Sequence, residues 1–171
     1  MQARLSNDTV LAAMPALDEA FSKFLTGPNA LLIGTRDRVN VPAISRPAGC
    51  EVSADGMQVV LYLLDDPDDR CIPNIRETGA IALVVARPTT YETYQLKGTD
   101  AQLAPIVEED VGRIAHYRAS VVQEMTQVGL TRDLAGEVVP HLHTSMLKVT
   151  FSPSEVYRQT PGPGAGERRE G

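Results

Sequence analysis

Apolar residues recur every three or four positions in the first part of the chain, which predicts an amphipathic helix over residues 8–24. Asn7 or Asp8 can cap its start, because a short side-chain oxygen accepts hydrogen bonds from the free amides of the first turn. Pro15 lies inside this pattern and has no amide hydrogen to donate. We therefore expect it to divide the helix into two short pieces.

From residue 30 onward the pattern changes to short apolar runs separated by turn residues, which is typical of antiparallel strands. These runs predict six or seven strands, drawn from the segments 30–35, 41–46, 49–53, 57–64, 80–86, 91–98 and 143–151. The Asp55-Gly56 pair suits a tight turn, because both residue types tolerate positive φ angles.

Helical spacing returns in three later segments, which predicts helices over 70–77, 105–128 and 133–138. Asp68 or Asp69 can cap the first of these, and Thr78-Gly79 ends it. A helix before the strands and a long helix before the last strand give an α+β class, mainly β, with a closed antiparallel barrel. We expect a single domain over residues 1–160 and a Gly/Pro-rich, then charged, tail over residues 161–171 whose end is mobile.

Composition narrows the range of partners. The net charge of −6 argues against nucleic acid, because phosphate contacts need clustered lysines and arginines. No apolar run is long enough to cross a bilayer, and the first residues do not form the apolar core of a secretion signal, so no membrane partner is predicted. Cys50 and Cys71 cannot form a disulfide framework, and we expect reduced thiols in the cytoplasm.

Motifs for hydrolysis or nucleotide binding are missing from the sequence: it has no GxSxG elbow, no GxGxxG after a strand and no GKS/T. His141 and His143 share one face of an extended segment and could hold a metal or haem iron, although solvated loop histidines are the favoured interpretation. The acidic run 65–69 lacks the glycine and distal glutamate of a calcium loop, which favours an exposed charged turn. No catalytic residue and no metal site is predicted.

Several short motifs follow one another in an informative order between Phe24 and Gly166. They are Phe24-Leu25-Thr26-Gly27, the run 30–37, Val41-Pro42 followed by 45–50, the Asp55-Gly56 turn, the run 74–79, the strand 81–86, Arg87-Pro88, Gln95-Leu96-Lys97-Gly98 and the closing run 159–166. In this order and spacing the chain resembles the FMN-binding split-barrel family related to pyridoxamine 5′-phosphate oxidase. The resemblance implies a split β-barrel homodimer with two FMN sites, each lined by both subunits.

The resemblance also implies which residues hold the phosphate of FMN: Arg46, with Ser45 beside it, and Arg70. A phosphate monoester carries close to two negative charges, which the forked donors of arginine suit. Where the oxidase has a run of cations this chain has 68–71 (Asp-Asp-Arg-Cys), so the clamp is thinner. A one-residue slip in register would exchange Ser45 and Arg46 between the two faces of their strand. Alternatively, Arg46 and Arg70 form ordinary surface ion pairs with acidic residues.

For the isoalloxazine ring the resemblance nominates Gln95 and Lys97, with Thr93 as a further candidate. The three share one face of a strand by the period-two rule, and an exposed face of an edge strand is the alternative. Gln159-Thr160-Pro161 either lies near the cofactor or packs on the partner subunit.

The expected function is an FMN-dependent oxidoreductase that passes electrons from a nicotinamide or other small donor to a small acceptor, with the flavin supplying the redox chemistry. Tyr91 and Tyr94 are candidate proton donors. The chain lacks a counterpart of the oxidase's substrate-binding Arg/His pair, so vitamin B6 is not the predicted substrate. The alternatives are a flavin-binding module without turnover, a split barrel that binds haem or the deazaflavin F420, and a purely structural dimer.

Overall fold

The computed structural model of the protein describes residues 16–141 and 145–169. In chain order these residues form α1 (Glu19–Leu25), β1 (Ala30–Arg36), β2 (Pro42–Ser45), β3 (Cys50–Val52), β4 (Val59–Leu64), α2 (Cys71–Thr78), β5 (Ile81–Ala86), β6 (Thr93–Gly98), β7 (Gln102–Pro105), α3 (Glu108–Gln127), α4 (Arg132–Val138), β8 (Met146–Phe151) and β9 (Glu155–Arg158). No helix within these ranges is long and apolar enough to span a membrane.

The strands form two antiparallel sheets that enclose one core. Five strands lie in the order β2-β1-β5-β6-β9, and four lie in the order β3-β4-β8-β7. The facing sides of the sheets supply the largest buried apolar side chains, among them Ile33, Leu61, Leu63, Leu83, Val85, Leu96, Val149 and Phe151. The predicted α+β antiparallel architecture is confirmed.

All seven predicted strand segments contain a strand, and β7 and β9 are additional. Both additional strands have four residues and lie at a sheet edge. They pair with strands far away in the sequence, whereas the similarly short β2 and β3 form hairpins whose turn residues mark them. Because Gln102–Pro105 pairs with β8, α3 begins at Glu108 and not at residue 105.

Aspartates lie at the starts of α1 and α2, although the N-cap residue of α2 is Arg70 and makes no side-chain cap, and the predicted caps Asn7 and Asp8 lie outside the described residues. Asp18 caps α1 by accepting a hydrogen bond from the Phe21 amide at 2.8 Å. The earlier half of the predicted N-terminal helix, with Pro15 at its end, lies outside the described residues. At α2 the Asp69 carboxylate accepts from the Cys71 amide at 2.7 Å. Gly79 ends that helix with φ of 65°, a conformation that glycine adopts without steric cost.

One buried carboxylate ties α3 to the four-stranded sheet. Asp110 is fully buried and accepts hydrogen bonds from the Tyr62 hydroxyl at 2.9 Å and from the Val107 amide at 3.0 Å. Its two ion-pair partners are Arg113 at 3.0 Å and Lys148 at 3.3 Å. We call these side chains, Tyr62, Asp110, Arg113 and Lys148, the Asp110 cluster. Burial alone raises the pKa of Asp110, but the hydrogen bonds from Val107, Tyr62 and Lys148 outweigh it and lower the pKa.

The segment predicted as a tail folds back along β9 over its described part. The Arg158 amide donates to the Glu167 carbonyl at 2.9 Å, and the Arg169 amide donates to the Val156 carbonyl at 2.7 Å. The Arg169 guanidinium lies 4.1 Å from the ring centroid of Phe21 and 2.5 Å from the Asp18 carboxylate. The chain therefore covers the outer edge of β9 as far as Arg169, and the very end of the predicted tail lies outside the described residues.

Candidate functional site on the open face of the five-stranded sheet

The side of the five-stranded sheet that faces away from the core carries an unusual mixture of small, apolar and cationic side chains. We call it the open face. Its members on three central strands alternate with the buried residues and are Ala30, Leu32, Gly34 and Arg36 on β1, Ala82, Val84 and Ala86 on β5, and Thr93, Gln95 and Lys97 on β6. Leu32 is 37% exposed, and Ile44 on β2 is 71% exposed.

The register of β5 with β6 places all three predicted ring-binding residues on the open face. Thr93 lies opposite Ala86, Gln95 opposite Val84, and Lys97 opposite Ala82. A row of polar side chains thus borders a row of small apolar ones. This combination offers a flat apolar floor with hydrogen-bonding groups along one side.

An apolar groove of about 350 Å³ runs over one end of this floor. It is lined by Ala30, Leu32, Val84 and Ala86 of the sheet, by Tyr117, Val121 and Met125 of α3, by residues 138–140, and by Leu31, Arg46 and Pro47. Ala30 and Ala86 are direct partners across β1 and β5. Because neither side chain extends beyond Cβ, the pair leaves room between the sheet and α3.

The far wall of the groove is held in place by Arg118. Its guanidinium donates to the carbonyls of Gly136 at 2.7 Å and Pro140 at 3.3 Å, and also to that of Val139. These carbonyls belong to the last turn of α4 and the residues after it, where backbone acceptors lack helical partners. Arg118 therefore fixes the 138–140 wall without lining the groove itself.

Arg46 lies at the rim of the groove. Ser45 of β2 is paired with Ile33 of β1, which is buried in the core, so Ser45 lies on the core side of the sheet. The next residue, Arg46, is exposed and lines the groove. The register thus decides between the two possibilities left by the sequence: Arg46 is on the groove side, and Ser45 is on the other side of the strand.

Arg70 lies elsewhere. Its guanidinium is 3.7 Å from the carboxylate of Asp37, in the turn between β1 and β2. Asp37 precedes β2 and Arg46 directly follows it, so the two predicted phosphate ligands lie at opposite ends of this strand. Within one subunit the structure does not bring them together.

The two candidate proton donors and the two cysteines do not lie on the open face. Tyr94 is the neighbour of Val85 on the core side, and its ring packs edge-on against Phe21 and Phe24 at 4.8 and 5.3 Å. Burial and a hydrogen bond to Glu92 raise the pKa of Tyr94. Tyr91 is exposed in the turn before β6.

Neither cysteine carries the properties of a nucleophile. Cys50 and Cys71 are both buried and unpaired. Burial raises the pKa of both thiols, that of Cys71 to about 11. Both are therefore protonated at neutral pH, and a thiol is a much weaker nucleophile than a thiolate.

The other polar candidates serve the local structure. His141 directly follows the groove-lining Pro140 and is exposed, whereas His143 lies outside the described residues. In the acidic turn Asp66 accepts from the Asp68 amide and Asp69 from the Cys71 amide. Across residues 16–141 and 145–169, no three His, Cys, Asp or Glu side chains are placed together to hold a metal ion.

Arg36 and the contribution of α3 are further features of this face that the sequence did not predict. Arg36 follows Leu32 and Gly34 on the same side of β1, so alternation alone places it with them. Only the pairing of β1 with β5 and β6 shows that this side also carries Lys97. Tyr117, Val121 and Met125 read as one apolar helix face, and their role as a groove wall depends on long-range packing.

Comparison with known proteins supports the fold. The chain is similar to HupZ from Group A Streptococcus, with a TM-score of 0.52, 14% sequence identity, and coverage of 88% of this chain and 99% of that chain. A pyridoxamine 5′-phosphate oxidase-related, FMN-binding protein from Nostoc punctiforme gives a TM-score of 0.46 and 16% identity over 84% of this chain and 80% of that one. HutZ, the haem storage protein from Vibrio cholerae, gives 0.48 and 10% identity over 84% and 94%.

Neither a family model nor a curated protein sequence matches the chain. The likeness to HupZ therefore supports the fold alone. The two antiparallel sheets agree with the α+β split-barrel architecture predicted from the sequence.

Proposed function

We propose that this protein binds FMN on its open face and acts, as a homodimer, as a flavin-dependent oxidoreductase. The observation that carries the proposal is the apolar groove with Arg46 at one rim and the β6 row on the other side. From β2 to β6 there are three strand spacings of ~4.8 Å each. This separation suits a ligand with a phosphate at one end and a flat ring at the other.

Arg46 is the best placed residue for the phosphate. Among the described residues it has no acidic partner within ion-pair distance, whereas Arg70 already faces Asp37. An unpaired guanidinium can offer two parallel N–H donors to a phosphate without first giving up another contact. Arg70 would have to exchange a carboxylate for the phosphate, so its contribution is the smaller one.

The ring would lie over Val84 and Ala86, beside Gln95 and Thr93. Gln95 is half-buried, and its amide can both donate and accept. When bound, the flavin supplies the hydride and electron transfer, and donors near its ring bias it toward the reduced form. The side chains on this face bind and orient the ring and exclude water from one side of it.

The exposed apolar residues of the open face support the homodimer. Leu32 and Ile44 are exposed apolar side chains on the open face, and they form a surface that a second copy can cover. Light scattering after gel filtration should give twice the chain mass of 18.5 kDa. Ile44→Asp should reduce that mass, because it places a charge in the interface.

The decisive experiment is an absorption spectrum of the purified protein after incubation with FMN and removal of free ligand by gel filtration. We expect a retained two-band flavin spectrum. Arg46→Gln should weaken FMN binding about tenfold, the effect of losing one charge-assisted contact of roughly 1.4 kcal/mol, and Arg70→Gln should weaken it less.

A matched pair of substitutions on β5 tests where the ring lies. Ala86→Leu extends a side chain into the groove and should also weaken FMN binding about tenfold. Ala82→Leu makes the same change on the same side of the same strand, four residues away, and should leave FMN bound. Loss of FMN from Ala82→Leu alone would contradict this placement. Retention of FMN by all four variants, the two arginine variants and the two alanine variants, would also contradict it.

The electron donor is tested by steady oxidation of NADH or NADPH by the FMN-loaded protein. Turnover supports the oxidoreductase. Tightly bound flavin without turnover would identify a flavin-binding module instead.

We place the protein in the cytoplasm on the basis of its two buried, unpaired cysteines, which suit a reducing compartment.

Haem is the second candidate cofactor, because the exposed His141 directly follows Pro140, which lines the groove. A Soret band after incubation with haemin, lost in His141→Ala, would favour haem over flavin. A single absorption maximum in the deazaflavin region after incubation with F420 would favour that cofactor.

A further inference from the structure

A second cavity lies on the open face beside the apolar groove, and charged and hydroxyl side chains border its otherwise apolar lining. It has a volume of about 370 Å³ and is lined by Gly34, Thr35 and Arg36 of β1, residues 80–82, residues 97–99, Ser154 and Glu155. We call it the polar cleft. Leu32, Val84 and Gln95 form one row across the sheet, and Gly34, Ala82 and Lys97 form the next row on the same face. The polar cleft is therefore the direct neighbour of the proposed flavin site.

The cleft exists because its floor has almost no side chains. Gly34 and Ala82 are direct partners across β1 and β5. A methyl group built onto Gly34 would meet no heavy atom within 4 Å, so the space above it is open. A larger residue at either position would fill the cleft.

Two cations flank this floor. Arg36 continues β1 two residues beyond Gly34, on the same side of the strand. Lys97 lies opposite Ala82, with its ammonium 4.8 Å from the centroid of the Tyr157 ring. The only hydrogen bond of the Arg36 guanidinium found among the described residues is to the carbonyl of Asp37, at 3.3 Å.

The acidic groups around the cleft are already engaged. Glu155 lines the cleft opposite Lys97, and its carboxylate accepts the Tyr157 hydroxyl at 2.5 Å, which holds it against Tyr157 but leaves its negative charge in place. Asp37 faces Arg70 at 3.7 Å. Glu77 faces Arg38 at 3.3 Å. Within residues 16–141 and 145–169, no carboxylate lies within ion-pair distance of Arg36 or Lys97, which leaves both cations available to an external anion.

We propose that the polar cleft binds the anionic group, a phosphate or a carboxylate, of the small molecule that reacts at the flavin, between Arg36 and Lys97. The assignment of this molecule as a reactant rests on the proposed flavin function, whereas anion binding rests on the cleft alone. Ser154 is not free to contribute a donor, since its hydroxyl donates to the Lys97 carbonyl at 3.2 Å. Recognition of the anion therefore depends on the two cations.

The test is an amide-resolved NMR titration of the flavin-free protein with inorganic phosphate, and separately with acetate, at constant ionic strength. Saturable shifts should cluster at Gly34, Ala82 and residues 97–99. Arg36→Gln should weaken binding about tenfold, and Ala82→Leu should weaken it at least as much by filling the floor. Arg38→Gln is the matched control, because it removes an equally exposed arginine that faces Glu77 and does not line the cleft. It should change the affinity less than twofold.

The two anions distinguish the two possible sources of charge. Tighter phosphate than acetate binding identifies a phosphate ester, and the reverse identifies a carboxylate. Shifts confined to Arg46 and its neighbours, an equal loss in Arg38→Gln, or no saturable shift with either anion would overturn the proposal. If the cleft binds anions while the protein retains no FMN, the anion site stands and the flavin function fails.

Discussion

Two regions of this molecule differ in whether their charged side chains have partners within the protein. In the Asp110 cluster a fully buried carboxylate has four donors, and Lys148 and Arg113 both point at it. On the open face Arg46 and Arg36 have no acidic partner among the described residues. Within the described part of the chain, the charges of the Asp110 cluster are paired, whereas those of Arg46 and Arg36 are not.

The difference separates structural charge from binding charge. A buried ion that lost its partners would cost several kcal/mol of desolvation, so the Asp110 cluster holds α3 against the four-stranded sheet. Exposed guanidinium groups lose little by remaining unpaired, because water solvates them. Such groups beside a cavity are available to a ligand.

The largest expected effect is therefore at Asp110. Asp110→Ala leaves Lys148, the Tyr62 hydroxyl and the Val107 amide without their acceptor, and should lower the free energy of unfolding by about 3 kcal/mol. Urea denaturation measures this change. The matched variant Arg113→Gln removes the half-exposed partner and should cost well under 1 kcal/mol. Equal effects of the two variants would show that Asp110 is not the centre of the cluster.

The same carboxylate predicts a pH dependence. The pKa of Asp110 in the folded protein lies below its ordinary value of 3.8, so the ionised form is favoured by folding. Its contribution is fully present above that ordinary value and is lost as the pH falls toward the lower, folded-state pKa. The stability difference between the native protein and Asp110→Asn should thus be constant at neutral pH and should shrink below about pH 4. A difference that grows on acidification would contradict the assignment.

A smaller effect is expected where a single hydrogen bond supports the groove. The Tyr117 hydroxyl donates to the carbonyl of the fully buried Asn29 at 2.8 Å. Tyr117→Phe removes this donor but keeps the ring that lines the groove, so it should cost about 1 kcal/mol of stability while leaving FMN retention unchanged. Tyr91→Phe, at an exposed tyrosine, is the control and should leave the thermal midpoint where it is.

The smallest change in stability should come from the unpaired cations. Arg36→Gln and Arg46→Gln should each alter the free energy of unfolding by less than about 0.5 kcal/mol, because no ion pair among the described residues is lost and the one hydrogen bond found there for the Arg36 guanidinium, to the Asp37 carbonyl, is exposed. Chemical denaturation of both variants beside Asp110→Ala gives the contrast directly. A loss of 2 kcal/mol or more in either would mean that the arginine is structural, and would remove the main argument for a ligand at that position.

Local patterns were enough to predict most of the elements. The 3.6-residue period gave α3, and Gly79 marked the end of α2 because a positive φ is needed there. β7 and β9 escaped prediction because they pair with β8 and β6, which lie far away in the sequence, whereas the similarly short β2 and β3 form hairpins whose turn residues mark them. The order of strands in the two sheets was not predicted, because periodicity does not show which strands pair.

The candidate site was less accessible from sequence. Alternation placed Thr93, Gln95 and Lys97 on one side of β6, but the side of Arg46 depended on a register that only the pairing of Ile33 with Ser45 fixes. Arg36 had no distinguishing motif. The groove needs Tyr117 beside Ala86, two residues far apart in sequence, and such proximity depends on tertiary packing.

Both edges of the five-stranded sheet are protected against pairing with a further strand. On one edge the chain returns as far as Arg169 and occupies the hydrogen-bonding groups of β9. On the other, Pro42 of β2 offers no amide to an incoming strand. Strand-by-strand growth of this sheet into a fibre is therefore discouraged at both ends. If copies of the protein associate through this sheet, its blocked edges favour contact between faces, which leads to a closed pair and not to an extended sheet.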